Sequence, residues 1–404
     1  MLPLIGAVAG LLSLTSLSQA FPQPQWEQGG QQLSATGAAS ATASPSSTIA
    51  SALETASLAA AATGTTACNN SPDLCNRNYN NITHLGAHDA AFLRDGASSF
   101  SVAGNQFYNA TIALSAGLRL LQAQVHDLNG KLELCHTSCS LLDGGSLESW
   151  LADIKYWMDN NPDEVVTLLL VNSDSNGTDS FGTAFSNSGI GEYGYTPTSS
   201  DAAISTWPTL SALVAAKTRL ISFVTNINYT TSYPYLLPEF TYVFETAFSV
   251  TSLSDFDCDL SRPSSESSAS TALSAGYMGL INHFADTAST GILDFTTPDI
   301  TDIGTTNSPS MTTLGALGQH GANCTSNWGK KPTFLLVDFW NVGPAIKTAD
   351  NLNGIVATGR TNVSTAVLES SSSAASLGVG TIWGSWGVMA VAAGAVLVVN
   401  AAGL

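Results

Sequence analysis

Two histidines close apolar runs in this chain: ITHLGAHDA carries His88-Asp89 near its end, and LELCHTSC sets His136 between Cys135 and Cys139. An imidazole populates both protonation states near neutral pH, so two of them around one substrate can divide the work of a base and an acid. Other apolar runs end in Gln122 and Gln124, Asn172, Glu245, Asn282-His283 and Asp338. A barrel of parallel strands gathers such residues at one mouth, because its active sites lie at the C-terminal ends of the strands. Any one of them alone could equally satisfy a turn or a helix end. Together they point to a site.

Other chemistries fall away. His84 and His88 have the i, i+4 spacing of zinc ligands on a helix, but in a strand that spacing covers about 13 Å, so His84 reads as an interior barrel residue. Cys135 and Cys139 read as a disulfide that stiffens the loop holding His136. No G-x-S-x-G elbow, H-E-x-x-H helix or phosphate-binding P-loop is present. A glycoside hydrolase would need two carboxyl groups across the mouth, for which Glu245 and Asp338 are the evident pair.

The elements that must carry these residues are eight apolar runs: 82–88, 119–126, 132–136, 164–172, 219–225, 242–247, 277–283 and 333–339. Most lack clean alternation, as strands covered on both faces do. Ser146 to Asn160 shows one apolar stripe stopped by Asn161-Pro162, the mark of a helix. Pro208 to Ala216 and Met311 to Gly321 are shorter helical segments, and 173–206 is too rich in Ser, Gly and Asn to place an element. Strand and helix alternating to a count of eight give an α/β fold, a distorted (β/α)8 TIM barrel, with an irregularity between the second and third runs.

The 404 residues hold 12 basic and 30 acidic side chains, a net charge of -18. Such a chain lacks the basic face that a nucleic acid requires. Residues 1–20 read as a signal peptide ending Ser18-Gln19-Ala20, and 21–67 as a Ser/Thr/Ala-rich linker that cannot bury enough apolar area to order itself. The folded domain is expected over 68–365. Residues 366–404, with serines followed by an uncharged apolar tail, read as a glycosylphosphatidylinositol attachment signal. The 6 cysteines fit an oxidising compartment and allow fifteen pairings, of which Cys68 with Cys75 and Cys135 with Cys139 are the near ones, leaving Cys258 with Cys324. Sequons stand at Asn69, Asn81, Asn109, Asn176, Asn228, Asn323 and Asn362, with Asn69 (before Ser-Pro) and Asn81 (in an expected strand) disfavoured.

The runs HLGAHDA, AGLRLLQAQVHDLNGKLELCHTSC and LLDGGSLESWLADIKYWMDNNPDEVVTLLL resemble the X domain of phosphatidylinositol-specific phospholipase C, and most closely the secreted fungal phospholipase-C-like phosphodiesterases. YVFETAF, LINHFAD and WGKKPTFLLVDFWNVG extend the resemblance over roughly Cys68 to Asn353. It implies a distorted (β/α)8 barrel, with His88 as general base, His136 as general acid, Asp338 orienting the base and Asp89 beside it. Gln122, Gln124, Asn172, Glu245 and Asn282 would then face a phospholipid or other phosphodiester. Where bacterial members carry Asp-x-Arg and eukaryotic ones Glu-x-Asp for calcium, this chain has Gln122-Ala123-Gln124. No cofactor is therefore expected, calcium being disfavoured by two neutral amides. The expectation is a monomeric, extracellular enzyme tied to the membrane by its lipid anchor. The alternative is a non-catalytic surface protein that keeps the barrel as a scaffold.

Overall fold

The computed structural model describes residues 67–288 and 296–368. The expected leader, nearly all of the linker and the anchor signal from residue 369 on lie outside the described residues. The strands are β1 (His84–Ala87), β2 (Leu120–Leu128), β3 (Lys131–Cys135), β4 (Asp143–Ser146), β5 (Val166–Asn172), β6 (Leu220–Val224), β7 (Leu236–Pro238), β8 (Val243–Glu245), β9 (Met278–Asn282), β10 (Asp286–Ala288), β11 (Thr296–Pro298) and β12 (Phe334–Val337). One sheet runs β7-β6-β5-β2-β1-β12-β9-β8, every neighbouring pair parallel. These are the staves of a distorted (β/α)8 barrel that is open on one side, since among the described residues no ladder joins β7 to β8.

The expected strand count survives only through two offsetting corrections. The run at 132–136 is not a stave: it is β3, antiparallel to β2 across Asn129-Gly130. Both turn residues have positive φ, +57° and +80°, the geometry that an Asn-Gly hairpin turn supplies. β4 then pairs with β3. The missing stave is β7, whose three residues are too short to announce themselves as an apolar run. Asn81 also departs from expectation, lying exposed in a 3-10 turn before β1.

The helices of six residues or more are α1 (Ala110–Ser115), α2 (Leu147–Asn160), α3 (Thr178–Asn187), α4 (Leu210–Ala216), α5 (Ala269–Ala275), α6 (Leu317–Trp328) and α7 (Ile346–Asn353). Ser146 caps α2 by accepting from Ser149 N–H, and Leu147, Leu151, Ile154, Trp157 and Met158 form its buried stripe. The helix expected from Met311 starts six residues later, after Gly315 takes the left-handed conformation at φ +76°. α3 falls in the Ser-rich stretch, where Phe181 and Phe185 are its buried anchors.

Strand parity sorts the core. Leu121, Leu168, Leu170, Leu220, Leu335 and Val337 pack with α2 and the outer helices. Leu120, Leu169, Ile221, Phe223, Phe334 and Leu336 pack with Tyr79 and Trp207 inside the barrel. Each fully buried side chain of this size contributes about 1.5–3 kcal/mol. With a period of two, Gln122 and Gln124 share the inner face of Leu120, and Asp338 follows Leu336 inward. His84 is an interior residue, as expected: it is 2% exposed, its Nε2 lies 3.2 Å from the Tyr79 carbonyl, and burial pulls its pKa down to about 4. The cysteines pair as Cys68–Cys75, Cys135–Cys139 and Cys258–Cys324.

Candidate active site

His88 follows β1 directly, and its backbone N–H continues the ladder to Val337 O at 2.9 Å. Its Nδ1–H donates to Asp338 Oδ1 at 2.8 Å, which fixes the tautomer and leaves Nε2 as the nitrogen able to take up a proton. Asn105 Nδ2 donates to the same carboxylate oxygen at 3.1 Å. Phe284 stacks on the imidazole with centroids 3.7 Å apart and planes 7° from parallel. Gln106 Nε2 donates to the carbonyls of His88 and Val337, at 2.7 and 3.0 Å, locking β1 and β12 together where they end.

His136 lies beyond β3, in the loop that Cys135–Cys139 closes. Its Nε2 is 3.5 Å from Asp89 Oδ2, and His88 Nε2 is 3.6 Å from the same oxygen. One carboxylate oxygen thus neighbours the Nε2 atoms of both imidazoles. Both imidazoles are 15% exposed, whereas Asp89 is wholly buried. Phe92 meets the His136 ring edge to face at 5.2 Å.

The two glutamines are struts. Gln122 Oε1 accepts from Asp89 N–H at 2.6 Å, holding the turn that follows His88. Gln124 Nε2 donates to Asp89 Oδ2 at 3.0 Å, while its Oε1 accepts from Thr137 N–H at 3.0 Å. A single neutral amide therefore ties the His88 loop to the His136 loop. Both glutamine oxygens are already committed to backbone N–H groups, and Asp89 Oδ1 is the free carboxylate oxygen between them. Calcium needs about 6–8 oxygen ligands, so this set does not fit it. Cys258, His320 and Cys324 come together as metal ligands would, but the sulfurs are bonded to each other and offer no thiolate.

The residues that follow His88, His136 and Asp338 are left-handed: Asp89 at φ +46°, Thr137 at +59° and Phe339 at +41°. For Phe this is a genuine outlier, and such positions cost about 1–3 kcal/mol each. Asn307 holds the last of them, its Nδ2 donating to the carbonyls of Asp338, Phe339 and Val342 at 2.9–3.1 Å.

Electrostatics set the resting protonation. Burial pulls His88 down, but Asp89 and Asp338 outweigh it and hold the imidazole at about 9. Burial pushes the Asp89 carboxyl up against the pull of His88 and His136. Asp286, on β10, is raised to about 6 by burial and by Asp338.

Not every expected residue arrives. Asn172 shares the parity of Leu168 and Leu170, so it faces away from the barrel interior. It accepts from Asn176 N–H and donates to Asn176 O, at 2.8 and 2.9 Å, which makes it a loop clamp and corrects its expected substrate role. Glu245 is ion-paired with Arg262, and Asn282 Nδ2 donates to Thr246 O at 3.0 Å and to Glu245 Oε2 at 3.4 Å. Both are bound within their own cluster, with Glu239 buried beside it. With Asp338 held by His88, the carboxyl pair of a glycosidase is also spoken for. Missed altogether were Asn105, Gln106, Phe284, Asp286 and Arg262. Phe284 and Asp286 lie within LINHFAD but carry no signal of where their side chains go. A second imidazole pair, His283 and His320, has its Nδ1 atoms 2.9 Å apart and is 0% and 4% exposed. It anchors the end of β9 from behind, immediately before the Phe284 that stacks on His88.

A family model described as PI-PLC X matches residues 74–353, and the chain belongs to this PI-PLC X domain family. An uncharacterized secreted protein of Arthroderma benhamiae is 37% identical over 294 residues, covering 73% of this chain and 63% of its own. The chain thus spans less than two thirds of that relative. PI-PLC X domain-containing protein 1 of the same fungus is 36% identical over 290 residues, 71% of this chain and 90% of its own. Among solved structures, a mutant phosphatidylinositol-specific phospholipase C from Staphylococcus aureus is 12% identical, with a TM-score of 0.44 over 69% of this chain and 94% of the other. The corresponding enzyme from Listeria monocytogenes is 17% identical, with a TM-score of 0.42 over 69% and 94%.

Proposed function

We propose that the chain is a phosphodiesterase of the phospholipase C type, cleaving a phospholipid or related phosphodiester with His88 as base and His136 as acid. The observation that carries this reading is the pair of Nε2 atoms within 3.6 Å of Asp89 Oδ2, one of them on an imidazole oriented by Asp338. Neutral His88 takes the proton of an attacking hydroxyl through Nε2 while the hydroxyl oxygen bonds to phosphorus. The bond from phosphorus to the leaving alcohol breaks, and His136, entering as imidazolium, gives that oxygen its proton. Asp338 and Asp89 hold the charge that His88 acquires. Each group of this kind contributes about 10²–10⁴-fold.

With His88 at about 9, its neutral form is about one part in a hundred at pH 7. The charged form offers an anionic phosphate a cation in a site where Gln124 supplies none, and activity rises with pH as His88 loses its proton for as long as His136 keeps its own. The rest of the reading is a monomer working outside the cell, its mature chain running from about residue 21 to a serine among 371–373 that bears a lipid anchor. The three disulfides and the secreted Arthroderma relative support the compartment.

The scaffold reading draws on one observation, the neutral strut Gln124 at the position where the resemblance leads one to expect a charge. Purified protein assayed against a panel of phosphodiesters separates the two. Activity that is lost in both His88→Ala and His136→Ala, with the fold intact by circular dichroism, supports catalysis. A folded wild type inert across the panel supports the scaffold.

A further inference from the structure

The seven sequons are not equivalent in the folded chain. Asn69 is 5% exposed, its Oδ1 accepting from Val165 N–H and its Nδ2 buried. Asn176 Nδ2 is likewise buried. A glycan on either nitrogen would have to displace packed protein. Asn81, Asn109, Asn228, Asn323 and Asn362 are exposed.

Asn109 differs from the other four in what lies beside it. It lines a groove of about 560 Å³ between α1 and α2, together with Ile112, Asp153, Tyr156, Trp157 and Asn160. Tyr156 is 73% exposed and Ile112 36%, so two of the large apolar side chains that the described surface leaves uncovered stand in this one groove. The rest of the lining is mostly hydroxyl, amide and carboxylate. An exposed aromatic face bordered by hydrogen-bonding groups is what a sugar ring recognises, with its apolar C–H face on the ring and its hydroxyls on the rim. The volume lies within the roughly 300–1,000 Å³ of small-ligand sites, room for the first sugars of a chain.

The folded amide also leaves its nitrogen free for a glycan. Asn109 Oδ1 accepts from Thr111 Oγ1 and from Ile112 N–H, both at 3.0 Å. Nδ2 has no partner among the described residues and is the free end of the side chain.

We infer that Asn109 carries an N-linked glycan whose first sugars lie in the α1–α2 groove against Tyr156, covering it and bracing the two helices. Attachment is a glycosyl transfer from a lipid diphosphate-linked oligosaccharide. Asn109 Nδ2 bonds to C1 of the reducing-end N-acetylglucosamine, the bond from C1 to the diphosphate oxygen breaks, the lipid diphosphate leaves, and Nδ2 gives up one proton. The inference rests on the reading that the chain enters the secretory pathway.

The full chain, secreted from a fungal host, is mapped by glycopeptide mass spectrometry. Asn109 is expected to be occupied, with Asn69 and Asn176 bare. Asn109 bare while other exposed sequons are occupied overturns the groove alone; every sequon bare overturns the secretory reading as well. Contact is tested by a cycle. Tyr156→Ala should lower Tm by about 2 °C in the glycosylated protein, and by nothing measurable after enzymatic deglycosylation of the same batch. Thr111→Ala removes the sequon while leaving the Asn109 cap acceptor, and in that background Tyr156→Ala should again be silent. Thr111→Ser, which keeps the sequon, should restore the Tyr156 effect, and Asn362→Gln should leave it untouched. A Tyr156→Ala effect of equal size with and without the glycan shows that the sugar does not touch the groove and overturns the inference.

Discussion

Replacing Asp338 by Asn removes the negative charge whose oxygen lies 2.8 Å from His88 Nδ1. Unit charges about 4 Å apart at an effective dielectric constant near 20 interact by about 4 kcal/mol, and such partners shift a pKa by about 1–3 units. The His88 imidazole, held at about 9, should therefore drop by that amount in the variant. A second effect runs the other way. An amide that donates to Nδ1 favours the wrong tautomer, and losing an oriented base costs up to about 10²–10⁴-fold. The two effects separate in a pH series of kcat/KM on a soluble chromogenic phosphodiester. At pH 10, where both proteins hold a neutral imidazole, the wild-type advantage is the full orientation loss. At pH 6 the variant regains about tenfold to a thousandfold, because far more of its imidazole is neutral. The ratio of wild type to variant must grow with pH, and the rising limb of the variant must lie to the acid side. A ratio independent of pH would show that Asp338 does not govern the proton on His88. Full turnover by the variant at pH 10 would remove its orienting role.

The same imidazole links stability to pH. Its folded value of about 9 lies above the ordinary imidazole value of 6.5, so its contribution of about 3 kcal/mol is complete below pH 6.5 and fades as pH rises through 9. The difference in urea midpoint between wild type and His88→Ala should narrow across that window. Asp286 is raised to about 6, so its ionisation opposes folding above that pH. Asp286→Asn should gain up to about 2 kcal/mol at pH 8 and almost nothing at pH 4 by the same measurement. Chelators should leave the rate unchanged and added calcium should not raise it, because the oxygens of Gln122 and Gln124 already serve backbone donors. Removing the short Cys135–Cys139 loop with two serines should cost at most about 2 kcal/mol yet lower kcat with little change in KM, since it loosens the loop that carries the acid.

The barrel was legible because eight buried runs in a long chain leave few other folds, yet the hairpin and the missing stave show where that argument thins. Asn129-Gly130 carries its own turn signal, and reading it would have turned the third run into β3. β7 offers three residues and no pattern at all. The strand-end places of His88, Asp89, His136 and Asp338 could be read in the sequence, whereas the glutamines, expected to face substrate, brace the Asp89 turn and the Thr137 loop instead. Asn172 was misassigned for want of parity, since Leu168 and Leu170 already mark its side of the strand. Glu245 and Asn282 failed for another reason: Arg262, the ion-pair partner of Glu245, comes from a loop that no local pattern could bring to β8, and Asn282 is held in turn by Glu245 and Thr246. Asn105 and Gln106 likewise reach the site from a loop and Asp286 from the short β10, and a contact made across the fold leaves no trace in spacing along the chain.

The left-handed residues after His88, His136 and Asp338 say something about ancestry. Gly or Asn would sit at Thr137 and Phe339 more comfortably, and each exchange would return about 1 kcal/mol or more of strain. While the reaction is under selection, the chain has reason to keep the sharper bends that aim the side chains. Once selection lapses, these two positions are the cheapest places to drift, cheaper than the histidines, whose loss returns no strain. Lineages of this family that have abandoned catalysis should therefore show glycine or asparagine at the positions equivalent to 137 and 339 while both imidazoles still stand.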